Sequence, residues 1–236
     1  MTNSADDNDR IRQIRFMRPP GACELLLVRH GESAAAKPGE SFPTVDGHGD
    51  PELHPEGRVQ AEQLAVRLAD EPIDAIYVTT LRRTVETATP LATQRGIELQ
   101  VEPDLREVFL GEWEGGTIFR QKMLERGPIA QRMFEEQRWD VIPGAEPGEA
   151  FAARVRGAIT RIAERHRDQT VVVVSHGGVI GQILADATSS RPFAFGGADN
   201  ASISQLVVTD DRWIVRRFND TAHLTSRLST VSEPLT

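Results

Sequence analysis

Two histidines in this sequence of 236 residues each stand one residue after an apolar run and directly before a glycine. The first is His30, in LLLVRHGES at 25–33, and the second is His176, in VVVVSHGG at 171–178. Near neutral pH an imidazole can act as a nucleophile, as a proton carrier or as a metal ligand. A lone histidine at the end of a strand more often only caps that strand. Two histidines in corresponding places instead favour one shared site.

Arginines also stand at or shortly after the ends of two apolar runs. Arg29 precedes His30, while Arg82 and Arg83 follow a third apolar run, AIYV at 75–78. Adjacent residues of a helix point about 100° apart, so only one of Arg82 and Arg83 is expected to face the site. Because a guanidinium group binds two phosphate oxygens together, the combination predicts a site for a phosphate rather than for a metal ion, which Arg29 would repel.

Small residues follow each histidine. Gly31 and Gly177 lack a Cβ, which would let the backbone approach a ligand and present an N–H group to it. Where a helix follows, its N-terminus adds partial positive charge. Ser33 either contacts the phosphate or caps the segment that follows it.

Strand-like and helix-like segments alternate along the chain and must position these side chains. The predicted strands are 24–28, 75–78, 97–101, 170–178, 203–208 and 213–218. The predicted helices are 56–69, a segment with Val85, Ala88, Leu91 and Ala92 on one face, and a long segment with Phe151, Val155, Ile159 and Ile162 on one face. This order predicts an α/β fold, a three-layer α/β/α sandwich with a mostly parallel sheet and one antiparallel element. Ligands bind at the carboxyl ends of such strands, where both histidines stand.

A single domain is expected over 21–218. It lies between a flexible N-terminal segment at 1–20 and a C-terminal tail at 219–236. Within it, 105–147 is interrupted repeatedly by Gly and Pro, which predicts a lid with one or two broken helices. The segment 34–52 is also rich in Gly and Pro and is predicted to be a mobile rim that sets specificity.

Composition and motif content exclude several classes of function. The formal net charge of −8 disfavours binding to nucleic acid or to an anionic membrane surface. Cys23 is the only cysteine, so no intramolecular disulfide can form. The first residues lack the form of a secretory signal, no apolar run reaches the length of a membrane span, and a cytoplasmic protein is expected. The motifs of serine hydrolases, nucleotide triphosphatases and zinc proteases are absent. No cofactor and no metal are predicted, and a homodimer is one hypothesis for the oligomeric state.

The order of the motifs resembles that of the histidine phosphatase superfamily, also called phosphoglycerate mutase-like. The matching blocks are LVRHGES, LHPEGRVQAEQLA at 53–65, YVTTLRRTVETA at 77–88, LREVFLGEWEG at 105–115 and VVVVSHGGVI at 171–180, with a weaker match in NASIS at 200–204. One RHG tripeptide would be a weak signal. Five ordered blocks that cover most of 24–209 are a specific one.

The resemblance implies a role for each matching residue. The catalytic set is His30 as phosphoryl acceptor, Arg29 and Arg83 as phosphate ligands, Glu107 as proton donor and His176 as the second histidine. The substrate-binding set is Arg29, Ser33, Arg83 and Gly177. Together they imply a metal-independent, acid phosphatase-like phosphomonoesterase that acts on a small phosphorylated substrate, with Glu107 as general acid and base.

Alternatives remain open beside this assignment. Ala36 stands where many members of the family carry a polar residue, so one phosphate contact is absent or comes from elsewhere. Mutases of the family usually insert a longer, basic segment after the catalytic Glu, and its absence here favours hydrolysis over a phosphoglycerate mutase-type isomerase. A non-catalytic phospholigand-binding protein is the third hypothesis. Taken without the resemblance, Glu107 reads as a surface acid paired with Arg106, and His176 as a strand-end histidine satisfied locally.

Overall fold

A six-stranded sheet forms the centre of the structure, a computed structural model that describes residues 13–37 and 39–225. The strands, including a separate two-stranded hairpin, are β1 (Cys23–Arg29), β2 (Thr44–Val45), β3 (His48–Gly49), β4 (Ala75–Val78), β5 (Leu99–Val101), β6 (Thr170–Ser175), β7 (Ile203–Val208) and β8 (Trp213–Asp220). The helices are α1 (Pro55–Arg67), α2 (Arg82–Arg95), α3 (Thr117–Glu125), α4 (Pro128–Glu136), α5 (Gly148–Arg165) and α6 (Gly177–Thr188). Much of the predicted N-terminal segment and C-terminal tail lies outside the described residues.

The strand order of the large sheet is β5-β4-β6-β1-β7-β8. Strands β5, β4, β6 and β1 run parallel, and β7 is antiparallel to both β1 and β8. The predicted α/β class, with a mostly parallel sheet and antiparallel character from the final hairpin, is confirmed.

Helices cover both faces of the sheet and complete three layers. Val172 of the central strand β6 packs with apolar residues of α1 and α2, whereas its neighbour Val173 packs with those of α5 and α6. Successive residues of a strand point to opposite faces, so a strand covered on both sides is apolar throughout. This explains the unbroken apolar run of β6.

Three parallel strands end at the same edge of the sheet. Strands β1 and β6 pair in register up to Arg29 and Ser175, and β4 ends beside β6. His30 and His176 therefore leave the sheet at one edge, as predicted. Helix α6 begins directly after His176, but the next helix after His30 is α1, so the added charge of a helix N-terminus is available only beside His176.

The region 105–147 consists of short helices that lie over this edge. Besides α3 and α4 it contains the 3₁₀ helices Gly111–Trp113 and Trp139–Val141. The buried residues of its own apolar core are Trp113, Ala130, Met133 and Ile142. The region thus contains two short α-helices as well as these 3₁₀ turns, and its role as a lid stays a prediction.

Segment 34–52 contains a short hairpin that the sequence interpretation did not include. Strands β2 and β3 are joined by Asp46 and Gly47, whose φ angles of 50° and 84° fit the type I′ turn that a two-residue hairpin prefers. His48 is buried on this hairpin. The hairpin therefore gives the predicted rim a fixed side chain to present.

Two expectations from composition bear on the described residues. The thiol of Cys23 is buried in β1, and burial raises its pKa to about 12. Among the described helices, none combines the length and the apolar character that a membrane span requires. The cytoplasmic location and the homodimer stay predictions.

Candidate active site

A cavity of about 420 Å³ opens at the edge of the sheet where the two histidines leave it. All predicted site residues but one line this cavity, namely Arg29, His30, Ser33, Arg83, Glu107 and Gly177. The exception is His176, whose buried ring has its centroid 5.2 Å from that of His30. The fold thus brings the predicted residues together from distant parts of the chain.

The His30 imidazole is held in one orientation and stays uncharged. Its Nδ1 lies 2.7 Å from the carbonyl oxygen of Gly31, to which a proton on Nδ1 is donated. This leaves the lone pair of Nε2 available. Burial above all, and then the charges of Arg83 and Arg29, hold the pKa of His30 well below 6.5. The ring is therefore a neutral nucleophile near pH 7.

Half-buried Arg29 and buried Arg83 place positive charge at the cavity. Arg29 donates from Nη1 to the carbonyl oxygen of Ala198 at 2.6 Å, and Arg83 donates from Nη1 to that of Gly49 at 2.9 Å. Burial lowers the pKa of both, that of Arg83 to about 10, so both stay charged near neutral pH. Arg82 lies at the surface in ion pairs. Arg83 is therefore the member of the pair that faces the site.

The second histidine is satisfied on one side of its ring only. His176 Nε2 lies 3.1 Å from the hydroxyl of Thr79, whereas its buried Nδ1 has no hydrogen-bond partner among the described residues. The Thr79 hydroxyl accepts from the N–H of Leu81, so its own proton is available for Nε2. Burial above all also lowers the pKa of His176, so the ring is neutral, and it carries its proton on Nδ1 when Thr79 donates to Nε2. The interpretation of a locally satisfied histidine therefore holds for one nitrogen and fails for the other.

Glu107 faces the cavity and is oriented by two backbone groups. Its Oε1 accepts from the N–H of Val108 at 3.0 Å, and its Oε2 accepts from that of Gly178 at 3.1 Å. A Cβ at Gly178 would lie 2.5 Å from Oε1, so a larger residue there would displace the carboxyl group from this position. Arg106 pairs with Asp46 instead, so the alternative of a surface pair with Glu107 is wrong.

The residues just after His30 contact the protein rather than an open space. The N–H of Gly31 donates to the hydroxyl of Thr87, and a Cβ at Gly31 would lie 2.6 Å from the carbonyl oxygen of Gly57. The expectation that Gly31 opens its backbone to a ligand is therefore wrong, because tight packing against α1 explains this glycine. Ser33 caps no helix, and its hydroxyl accepts from Arg120 Nη2 at 2.9 Å.

Several residues of the cavity wall were not predicted. Arg120, on α3, also donates from Nη1 to the carbonyl oxygen of Ala34, which puts a guanidinium group beside the segment that ends in the unexpected Ala36. His48 enters the wall from the hairpin, and the Asp-Gly pair at its turn was the available signal for that hairpin. Nothing in the sequence pattern distinguishes Arg120 from the surface cations of other helices. Across 13–37 and 39–225, no group of three His, Cys, Asp or Glu side chains could hold a metal ion.

Most of the chain is similar to known proteins. The family model of the histidine phosphatase superfamily (branch 1) matches residues 25–221. The chain is 35% identical to phosphoglycerate mutase-like protein 4 of Arabidopsis thaliana, over 85% of this chain and 86% of that protein. It is 33% identical to phosphoserine phosphatase 1 of Hydrogenobacter thermophilus, over 85% of this chain and 94% of that protein. The solved structure of a mycobacterial glucosyl-3-phosphoglycerate phosphatase superposes with a TM-score of 0.69 at 29% identity, over 85% of this chain and 100% of that chain.

Proposed function

Because this chain belongs to the histidine phosphatase superfamily, branch 1, we propose that it hydrolyses small phosphomonoesters through a phosphohistidine formed on His30. The observation that carries the proposal is the state of the His30 imidazole. It is neutral, its Nδ1 proton is held by the Gly31 carbonyl, and it lines a cavity together with Arg29 and Arg83. A nucleophile beside fixed cations is the arrangement that phosphoryl transfer needs.

The first step transfers the phosphoryl group from the ester to the enzyme. The lone pair of His30 Nε2 attacks phosphorus, so an N–P bond forms while the bond from phosphorus to the ester oxygen breaks. The guanidinium groups of Arg29 and Arg83 stabilise the charge on the equatorial oxygens, and the proton on His176 Nδ1 is a further donor. Glu107, in its acid form, gives its proton to the departing alcohol.

The second step returns the enzyme to its starting state. Glu107, now a carboxylate, takes a proton from water as that water attacks phosphorus. The N–P bond breaks, phosphate leaves, and His30 Nε2 recovers its lone pair. Since fixed arginines supply the positive charge, no step requires a metal ion, and we propose metal-independent, acid phosphatase-like catalysis.

Hydrolysis is proposed in preference to phosphate transfer within one substrate. Two relatives carry phosphatase names, phosphoserine phosphatase 1 and the mycobacterial glucosyl-3-phosphoglycerate phosphatase. The segment after Glu107 forms the two nine-residue helices α3 and α4, without the longer basic insertion expected of a mutase. These features support water as the acceptor. Because the Arabidopsis relative is named phosphoglycerate mutase-like, the experiment also measures mutase activity.

The experiment follows phosphate on the enzyme and in solution. With a phosphate-labelled ester, wild-type protein should form an acid-labile, base-stable label, release phosphate with turnover, and keep its rate in the presence of a chelator. We expect His30→Ala to lose the label and to lower kcat/KM by at least about a thousandfold, because the covalent route is removed.

A matched control is available in the same part of the chain. His54→Asn keeps a capping side chain at the start of α1 and lies outside the cavity, so it should retain both the label and the rate. Transfer between the two positions of a phosphoglycerate is measured in parallel. Unchanged turnover in His30→Ala contradicts the proposal, and transfer that outpaces phosphate release identifies a mutase.

A further inference from the structure

The cavity has a second wall that differs in chemistry from the phosphate-binding side. Apart from the predicted site residues, its lining includes a set of apolar side chains from the lid and from the loop after α6, which are Leu110, Phe119, Met123, Met133, Phe134, Trp139, Pro192 and Phe193. Polar backbone and charged groups dominate the side near His30. The bound phosphate and the alcohol it esterifies would therefore meet different surroundings.

Four aromatic rings make this wall continuous. The ring centroids of Trp139 and Phe193 are 4.8 Å apart, those of Phe119 and Trp139 are 6.4 Å apart, and those of Phe134 and Phe193 are 6.3 Å apart. Phe134 is 51% exposed, and the other three are only partly buried. Phe119, Trp139 and Phe193 pack in part against the buried core of the lid, so the remaining exposed part of each ring, together with that of Phe134, is available to a ligand.

The charged groups on this side of the cavity are engaged by the protein itself. The Glu114 carboxylate accepts backbone N–H groups of Gly49, Leu110 and Gly115, and Arg120 donates to Ser33 and to the backbone beside it. A small polar substrate with an ammonium group would need the Glu114 carboxylate as a partner, and one with a second carboxylate group would need Arg120. An ammonium group would compete with three backbone N–H groups for Glu114, and a carboxylate would have to share Arg120 with Ser33 and the backbone.

The remaining ionisable side chain of this wall is His48. Its ring packs edge-on against Phe109, with centroids 5.4 Å apart. Burial, above all, lowers the pKa of His48, so it presents a neutral ring near pH 7. It can bond to a hydroxyl group, but it does not supply the charge that an ionic substituent requires.

Given the proposed function, on which this inference rests, we infer that the leaving alcohol of the substrate is apolar and large enough to contact the aromatic wall. The cavity volume of about 420 Å³ suits a phosphate joined to a group of that size. Monoesters of aromatic or branched apolar alcohols should therefore be preferred to phosphoserine and to phosphoglycerates. Burial of one such group corresponds to a preference of about tenfold to a hundredfold in kcat/KM.

The experiment uses substrates whose leaving alcohols are similar in acidity, because aryl phosphates react faster for chemical reasons alone. The compounds are 2-phenylethyl phosphate, ethyl phosphate and phosphoserine, assayed for phosphate release with the full chain. We expect the phenylethyl ester to have the highest kcat/KM, by the factor given above. Equal values, or a preference for phosphoserine, overturn the inference.

Variants locate the preference on the wall. Phe193→Ala and Phe134→Ala should each reduce the ratio of phenylethyl to ethyl ester by about threefold or more, since each removes one ring face. Two variants are used in case Phe193→Ala disturbs the folding of the lid. Phe134 is half exposed, so Phe134→Ala should leave the lid folded. The matched control is Leu124→Ala on α3, a residue 67% exposed and outside the cavity lining, which should leave the ratio unchanged. A ratio insensitive to both phenylalanine variants also overturns the inference.

Binding separates this inference from the proposed function. The corresponding phosphonates have no ester oxygen to leave, so calorimetry compares 2-phenylethylphosphonate with ethylphosphonate whether or not the chain is a phosphatase. Tighter binding of the phenylethyl compound, weakened in Phe134→Ala, supports the apolar wall. Hydrolysis of all esters at similar rates through His30 would leave the proposed function intact and refute only the substrate class.

Discussion

The His176 imidazole takes its orientation and its proton position from one hydroxyl group. Thr79 lies at the end of β4, accepts from the N–H of Leu81, and is left with its own proton for His176 Nε2. The Thr84 hydroxyl lies 3.1 Å from that of Thr79 and donates its own proton to the carbonyl oxygen of Leu81, so it competes with His176 Nε2 for the single proton of Thr79. In the proposed mechanism, Thr79 donates to His176 and is a positioning residue that keeps the Nδ1 proton available to phosphate.

Thr79→Val tests this role with little change in volume. The variant removes the donor to Nε2, so the His176 proton is no longer confined to Nδ1. We expect kcat to fall by about tenfold, which corresponds to the loss of roughly one hydrogen bond in the transition state. Steady-state kinetics measures the rate, and the ¹⁵N chemical shifts of the His176 ring report which nitrogen carries the proton.

The neighbouring threonine supplies the control. The hydroxyl of Thr80 has no hydrogen-bond partner among the described residues, so Thr80→Val should change neither the rate nor the ring spectrum. Thr79→Ser keeps the hydroxyl and should restore most of the activity. Equal losses in Thr79→Val and Thr80→Val would show that Thr79 acts only through packing.

Single residues differed in how far the sequence could identify them. Arg29, His30 and His176 were identifiable because motif order and strand ends both mark them, and the structure places them together. Thr79 and Arg120 were not, because their contacts depend on elements far away in the chain. The side chain of Arg120 reaches Ser33 only once α3 lies over the edge of the sheet, and no local pattern encodes that approach.

At the scale of elements, the catalytic segment depends on how closely α1 approaches it. A Cβ at Gly57, in the first turn of α1, would lie 2.0 Å from the carbonyl oxygen of Glu32. His54, which precedes this turn, donates its backbone N–H to the same carbonyl group. The helix therefore supports the chain directly after His30, and it does so without any side chain at position 57.

Two glycines in helices should respond to alanine in opposite directions. Gly57→Ala should destabilise the protein by about 1–3 kcal/mol, because the added methyl group meets backbone that cannot move away. At Gly157, in the middle of α5, the added Cβ would meet only the end of the Arg161 side chain, at 3.3 Å. Gly157→Ala should stabilise by about 0.5–1 kcal/mol through helix propensity.

Urea unfolding of the two variants beside wild type checks this pair. The free energy of unfolding should fall in Gly57→Ala and rise in Gly157→Ala, and only Gly57→Ala should also lose activity. If both variants are stabilised, α1 has room to shift and the close contact with Glu32 does not constrain the catalytic segment.

Elements were predictable where burial leaves a strong periodic pattern. Strand β6 and helix α5 are clear in the sequence because one is buried on both faces and the other on one stripe of residues. The hairpin of β2 and β3 was missed, since two strands of two residues each leave no measurable alternation. The lid was only partly predictable, because its helices pack on a small core of their own and their boundaries follow from that packing.

At the scale of the whole molecule, the net charge of the protein and the charge of its site have opposite signs. The chain carries −8, yet three arginines, Arg29, Arg83 and Arg120, line the cavity beside two carboxylates, Glu107 and Glu114. The net charge of the chain does not predict the charge of the site. A few charges inside a cavity of low dielectric dominate there, while the charges at the protein surface are screened by solvent. Burial keeps His30 and His176 neutral, and this has a consequence for the stability of the fold.

Stability should fall as the solution becomes mildly acidic. The pKa values of His30 and His176 are held well below 6.5 in the folded protein, first by burial and then by nearby arginine charge. Below about pH 6.5 the unfolded chain therefore takes up protons that the folded protein does not, and the free energy of unfolding falls with decreasing pH. Each histidine contributes a slope of up to about 1.4 kcal/mol per pH unit, and the loss continues down to the folded pKa values.

Urea unfolding between about pH 7.5 and about pH 5.5 measures this slope before most carboxylates titrate. His48 and His223 also have lowered pKa values, mainly through burial, so part of the slope belongs to them. The double variant His30→Asn/His176→Asn should therefore reduce the slope by up to about 2.8 kcal/mol per pH unit without abolishing it. A slope equal to that of wild type would mean that the two imidazoles bind protons in the folded state as readily as in the unfolded chain. In that case His30 would be charged in mild acid, and the neutral nucleophile on which the proposed first step depends would be lost there.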